Sequence, residues 1–314
     1  MRPREELHRL LAPLLSITLL GGVFLATLRD VPPFVGDVRE PFLRGVSHLG
    51  PPYIAYNLET PTISGVVFAL ASIWTNNPLI YQVELAFILG LLWLLFILPM
   101  LESPQTWWRL LWLVTPSLLL LGLRSWDTIP SILTYLSLIL LSIGRVEWSG
   151  LTLALAGSAG FHPLLLLPAY ILKLGRRRRF LLAFSSTFVG VHLPFIAINP
   201  EGWWNAYRLN LANFIVDRGV WGLLTHQPPQ PLHLALIFIL FSVGYGVILK
   251  FRGGRSAVQL AFMALTLFLL TSGVYAPSTD LWLLPLAGMA HVNPLLFLLL
   301  DSATLPSLLG SAHN

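Results

Sequence analysis

Apolar stretches nearly free of charge recur along the whole chain, at about 9–28, 62–77, 80–101, 107–123, 127–144, 149–172, 180–198, 232–250, 256–273 and 282–300. An apolar helix of about 20 residues crosses a hydrocarbon core about 30 Å thick while satisfying its own backbone hydrogen bonds. The pattern therefore predicts an all-α fold. It is a polytopic transmembrane helical bundle of about 9–11 membrane segments, some re-entrant or half-length, in one domain over residues 1–314. Only 11% of residues are charged and 55% are hydrophobic, where a soluble domain carries roughly 25% charge. Cysteine is absent, which excludes disulfides, thiolate nucleophiles and Cys-ligated metal. The net charge of +5 sits in short clusters beside apolar runs, where it sets topology. Membrane lipids, and no nucleic acid, are the expected surroundings. The run 9–28 reads as a retained first span, because no small-x-small cleavage site precedes the polar stretch after it.

The run 149–172 carries Gly157, Gly160 and Phe161-His162-Pro163, and Pro163 removes a helical hydrogen bond and disfavours helix at the residue before it. Arg145 precedes this run and Arg176 to Arg179 follow it. Both clusters belong in the cytoplasm by the positive-inside rule. A re-entrant hairpin built of two half-helices satisfies that; a simple span does not. The same rule places both termini and the Lys250–Arg255 loop inside. The loops 29–61, 199–231 and 274–281, together with Arg124-Ser125-Trp126-Asp127, then lie outside. Segments 62–106 leave the parity open, since two full crossings there put Arg109 on the outer side.

The outer loops hold more chemistry than a connection needs. Residues 29–61 contain Arg29, Asp30, Asp37, Arg39, Glu40, Arg44, His48, Glu59, Tyr53 and Tyr56. Residues 199–231 contain Trp203, Trp204, Trp221, Arg208, Arg218 and His226. Asp37, some eight residues past the first span, can meet a lipid-borne substrate at the membrane surface and act there as a general base. Its plainer reading is a solvated acid paired with Arg39.

The order of parts after Asp37 resembles a known pattern. Gly50-Pro51-Pro52-Tyr53 is followed by Glu59-Thr60-Pro61 at the start of the next run. Ser125-Trp126-Asp127 and a small-residue run from Ala156 to Pro168 come next, and then Asn199-Pro200-Glu201-Gly202-Trp203 with Tyr207-Arg208. Tyr275-Ala276-Pro277 leads into Leu281-Trp282-Leu283-Leu284-Pro285. In this order the motifs resemble the polyprenyl-phosphate-sugar-dependent glycosyltransferases of the GT-C superfamily, in the prokaryotic multispanning mannosyltransferase-like branch. Two positions depart. Gly160 stands where the family commonly has Lys, and Ser278-Thr279-Asp280 replaces a Gln-Tyr pairing.

The resemblance implies an integral membrane enzyme. It would transfer a sugar, mannose first, from a polyprenyl- or dolichyl-phosphate donor to a lipid, glycan or protein acceptor on the extracytoplasmic face, with inversion. Asp37 would be the general base. Arg208 and Arg218 would hold the leaving phosphate, since the guanidinium fork matches its oxygens; lipid-headgroup anchoring is their plainer role. Glu59 would position a hydroxyl or share a divalent cation such as Mg or Mn, although a helix start favours an acid in any case. No His/Asp/Glu cluster has metal-ligand spacing. Asp127 reads first as the N-cap of the next helix and second as a substrate contact. His162 stands beside Gly160 as a substitute cation or a structural histidine. Tyr53, Tyr56, Trp126 and the loop tryptophans would stack on sugar or form the interfacial aromatic belt. A carrier or flippase of lipid-linked sugars is the competing class, as is a catalytically inactive subunit. Glu84 is the only obvious carboxylate within an apolar run, and coupled transport usually needs ionisable groups at midmembrane.

Overall fold

The computed structural model describes residues 52–53, 58, 60–73, 75, 77–101, 112, 115–175, 177–216, 231–272 and 277–303. The expected first span and the residues Asp37, Arg39, Glu59 and Arg218 lie outside the described residues. Among the described residues the chain is helical, with no strand. The helices are α1 (Thr62–Ala71), α2 (Pro78–Leu101), α3 (Pro116–Leu121), α4 (Thr128–Ser142), α5 (Val146–Ala159) and α6 (Leu167–Lys173). They continue as α7 (Arg177–Ile198), α8 (Pro200–Val216), α9 (Pro231–Lys250), α10 (Ala257–Thr271), α11 (Asp280–Met289) and α12 (Pro294–Ser302). Short 3-10 turns precede α6, at His162–Leu166, and α11, at Pro277–Thr279.

Among the described residues two helices are long and apolar enough to cross a bilayer, Pro78–Leu95 within α2 and Arg177–Ile198 as α7. The other apolar runs divide more finely than expected. With ten residues, α1 rises roughly 15 Å, so the run 62–77 is no crossing. The run 282–300 is two helices: α11 stops at Met289, His291 takes a left-handed φ of 57°, and Pro294 opens α12 with Asn293 capping the Leu295 amide. The stretch 199–231 is not a plain loop, because its first half is α8, joined to α7 through Asn199 alone. Local sequence explains several ends. Ser256 and Gln259 form a reciprocal capping box that starts α10.

The segment 146–174 goes out and back. In α5, a Cβ placed on Gly150 would sit 2.5 Å from the Phe180 carbonyl oxygen, and one on Gly157 would touch Leu164 and lie 3.8 Å from Phe188. Both helices thus advance together, and α5 and α7 run parallel. Glycine at 150 is what lets their backbones approach. Antiparallel α4 closes the other flank, where the Ser137 hydroxyl donates to the Ser149 carbonyl at 2.8 Å. After the break at Gly160 the chain descends again, so that the Tyr170 ring lies 5.5 Å from that of Phe180. Glu147 and Arg179, at the starts of α5 and α7, meet at 3.2 Å. The hairpin expected from the two arginine clusters is therefore present as a fold.

This arrangement gives the molecule two unlike ends. Arg145, Lys173, Arg177, Arg178, Arg179, Lys250 and Arg252 are exposed at one of them, and Lys173 Nζ donates to the Arg252 carbonyl at 3.0 Å. Between the ends, hydroxyls inside helices turn back on their own backbone, as Thr134 does on Pro130 and Ser158 on Ala154. Leu153, Tyr170, Phe180, Ala264 and Leu286 fill one packed centre, and Tyr53, Phe68, Leu85, Ile129 and Ala159 fill another. The outer surfaces of α7 and α9 are apolar and uncovered, with Val189, Leu193, Phe238 and Val243 all more than half exposed.

Candidate functional site

The far end from the arginines is organised around the break Gly160-Phe161-His162, where α5 stops and the 3-10 turn begins. Gly160 is extended, and a Cβ there would meet Pro130 at 2.9 Å. The first turn of α4 thus occupies the space that a lysine stem would need. Glycine at position 160 is packed into the fold. His162 and Phe161 then point the site in two directions.

On one side the buried His162 ring stacks on Trp282 of α11, centroids 4.2 Å apart and planes 12° from parallel. Its Nε2 has no hydrogen-bond partner among the described residues. Nearby, in the turn before α4, lies the buried Asp127. Its side chain makes no cap to the α4 amides, contrary to the expected N-cap role, because its backbone is already helical, at φ −59° and ψ −20°. Instead the Ser125 hydroxyl donates to Oδ2 at 3.4 Å and also accepts from the Asp127 amide at 3.2 Å. Burial pushes the Asp127 carboxyl up to about 6, against the polar groups of Trp282, Ser278 and Ser125 beside it, which favour the charged form. A carboxyl so placed changes protonation close to neutrality, as a proton-transfer group must.

On the other side Phe161 meets Tyr207 of α8 edge to face at 5.4 Å. The Tyr207 hydroxyl is 2.8 Å from Thr62 Oγ1, and His192 Nδ1 of α7 is 3.1 Å from the same Thr62 atom. The indole of Trp203 donates to His192 Nδ1 at 3.1 Å. Three helices that begin or bend at this end, α1, α7 and α8, are thereby tied at one point. Tyr53 braces the junction. Its hydroxyl donates to the carbonyls of Thr60 and Pro61 at 2.6 and 2.9 Å, and its own carbonyl accepts from Asn199 Nδ2 at 2.9 Å. With 1% of its surface exposed, the ring stands inside the packing, and its part here is to position the start of α1.

Of the expected site residues, Asp127 and His162 come together around Trp282, and Tyr53 lies beside the Thr62 cluster. Arg208 follows Tyr207 on α8 and is exposed. Asp127 has the hydroxyls of Ser125 and Ser278 and the indole of Trp282 as neighbours. Among the described residues no group of three or more His, Cys, Asp or Glu comes close enough to hold a metal ion. Sequence reading passed over His192, Ser278 and Trp282 as site residues. His192 carried a usable signal, an ionisable side chain inside the apolar run 180–198, which in a membrane helix points to function by default. Ser278 and Trp282 carried none beyond their place in a motif. No protein-family model, no curated protein and no solved structure matches this chain.

Proposed function

We propose that the chain is a polytopic membrane glycosyltransferase that moves a sugar, mannose first, from a polyprenyl-phosphate donor to an acceptor hydroxyl at its extracytoplasmic end. The observation that carries this reading is convergence. Segments around 53–62, 125–127, 160–163, 199–207 and 278–282 are far apart in sequence, yet they meet at the end opposite the arginines. The membrane reading draws on α7, an apolar helix of which only 11% is buried. In water such a surface would be a large aggregation-prone patch; in lipid it is the contact face.

In this reading Asp37 takes the proton of the acceptor hydroxyl as its oxygen attacks the anomeric carbon. The bond from that carbon to the phosphate oxygen breaks, the electron pair leaves with the lipid phosphate, and configuration inverts. Arg208 and Arg218 steady the departing phosphate. A second reading, an inactive subunit of the same architecture, has support from Gly160, since Pro130 fills the space that a lysine stem would need there.

The test is transfer from polyprenyl-phosphate mannose, glucose and arabinose in membranes containing the chain, with Asp37→Asn alongside. Transfer by the wild type, lost by at least about 100-fold in Asp37→Asn, is the expected result. Unaltered transfer by the variant removes Asp37 as base, and no transfer with any donor favours the inactive subunit.

A further inference from the structure

At the basic end, the corner between α9 and α10 borders a cavity of about 190 Å³ lined by Arg255, Gln259, Phe262, Met263, Ala290 and Val292. Arg255 and Gln259 belong to the entry and first turn of α10, and Phe262 and Met263 follow one turn on. Ala290 and Val292 come from the corner where α11 passes to α12. All six residues are at least partly exposed, so the cavity opens to the outside. Its polar side chains only donate. The capping box settles which way the Gln259 amide points: a backbone N–H cannot accept, so the atom that meets the Ser256 amide at 2.9 Å is Oε1. Nε2, with two hydrogens, remains to donate. Arg255 gives one Nη1 hydrogen to the Phe251 carbonyl and has four more. Among the described residues no carboxylate pairs with it.

These residues select a ligand. A cation and an amide nitrogen, both donors, call for a head that only accepts and carries negative charge. The other four side chains are apolar and call for an apolar body. Lys250 and Arg252 of the same corner are fully exposed, as solvated charges are, whereas Arg255 is half-buried over this apolar lining. Size narrows the choice. A drug-sized ligand enclosed whole needs about 300–1,000 Å³, so this cavity takes only the head and first stretch of a longer molecule, and a two-chain lipid with its glycerol is too broad. The remainder has a surface to follow: beyond Val292, α12 presents Leu295, Leu296, Leu299 and Leu300, all between 43% and 68% exposed. We propose that the cavity binds a single-chain fatty acid, its carboxylate on Arg255 and Gln259 and its chain passing over Phe262, Met263 and Val292 onto the leucines of α12.

The test uses the full chain in phosphatidylcholine nanodiscs with a palmitate whose chain carries a photoactivatable diazirine, in mildly alkaline buffer that keeps the acid ionised. Peptide mass spectrometry locates the label, and unlabelled compounds compete for it. Label is expected on Phe262, Met263 or Val292, and palmitate should compete about tenfold better than hexadecanol, phosphatidylglycerol or acetate. Arg255→Gln should lower labelling there about tenfold, as should Ala290→Phe, which fills the cavity and leaves the cation in place. Arg252→Gln, which removes an exposed charge outside the cavity, should stay within about twofold of wild type. If one of the first two variants does not fold, the other decides. Equal competition by the alcohol would make this an apolar slot, displacement by acetate a free-anion site, and displacement by phosphatidylglycerol a phospholipid site; an equal loss in Arg252→Gln would mean diffuse surface charge. Each of those results, or no label at the cavity, would overturn the proposal. Sugar transfer has no part in this binding, so the outcome of the transfer assay leaves it unchanged.

Discussion

The two ends of the molecule use charge in opposite ways. At one end Arg145, Lys173 and Arg177 to Arg179 are exposed, and the ion pair between Arg179 and Glu147 leaves the two side chains 63% and 50% accessible. At the other, polar and ionisable groups are buried: Asp127, His162, Thr62 and His192 have between 0% and 3% of their surface exposed. Solvated arginines cost the fold little and serve to orient it. A buried ionisable group costs stability wherever its ordinary charge is not fully compensated, so its presence needs a use. The contrast separates residues that place the chain from residues suited to act on something.

The largest test of that contrast is all or none. The chain contains no cysteine, so single cysteines can be labelled against a silent background. Ser142→Cys and Gly175→Cys flank the α5–α6 hairpin at exposed positions and should react with a membrane-impermeant thiol reagent from one side only. Trp204→Cys, on α8, should react from the other. Labelling of Ser142→Cys and Gly175→Cys from opposite sides would mean that 146–174 crosses the membrane, which the parallel course of α5 and α7 forbids.

The next effect is thermodynamic. The Asp127 carboxyl titrates at about 6 in the folded protein against an ordinary value of 3.8, so between those values the folded state holds the extra proton. Stability should fall as pH rises from about 4 to about 6, by about 3 kcal/mol, and then level off. Asp127→Asn imitates the protonated form. Relative to wild type it should gain stability at pH 7 and be nearly neutral at pH 4, as thermal unfolding in detergent can measure. A difference that does not vary with pH would deny that burial perturbs this group.

The smallest effect belongs to the basic end. Glu147→Gln breaks the exposed pair with Arg179 and should change stability by less than about 0.5 kcal/mol. A loss of 2 kcal/mol or more would erase the distinction between the ends.

Much of the basic end was legible in the chain. The arginine clusters on both sides of 149–172, with Gly160 and Pro163 between them, required a return path, because charge near a membrane has a preferred side and proline interrupts a helix locally. The site was legible only in part. Asp127 stands just before a helix, where Asp usually caps; only the backbone angles and the neighbours Ser125, Ser278 and Trp282 show otherwise. Tyr53 reads in the sequence as an interfacial aromatic, whereas its hydroxyl is tied to the carbonyls of Thr60 and Pro61.

The sequence by itself determined that the chain is helical and apolar, that it breaks at Gly160, and where the arginines gather. Each of these follows from properties that act within a few residues, namely hydropathy, proline geometry and charge. Only the tertiary structure decided that Thr62, His192, Trp203 and Tyr207 share one hydrogen-bonded cluster, and that Pro130 fills the space beside Gly160. Those contacts join positions far apart in the chain, and no local rule relates one such position to another until packing brings them within hydrogen-bond reach.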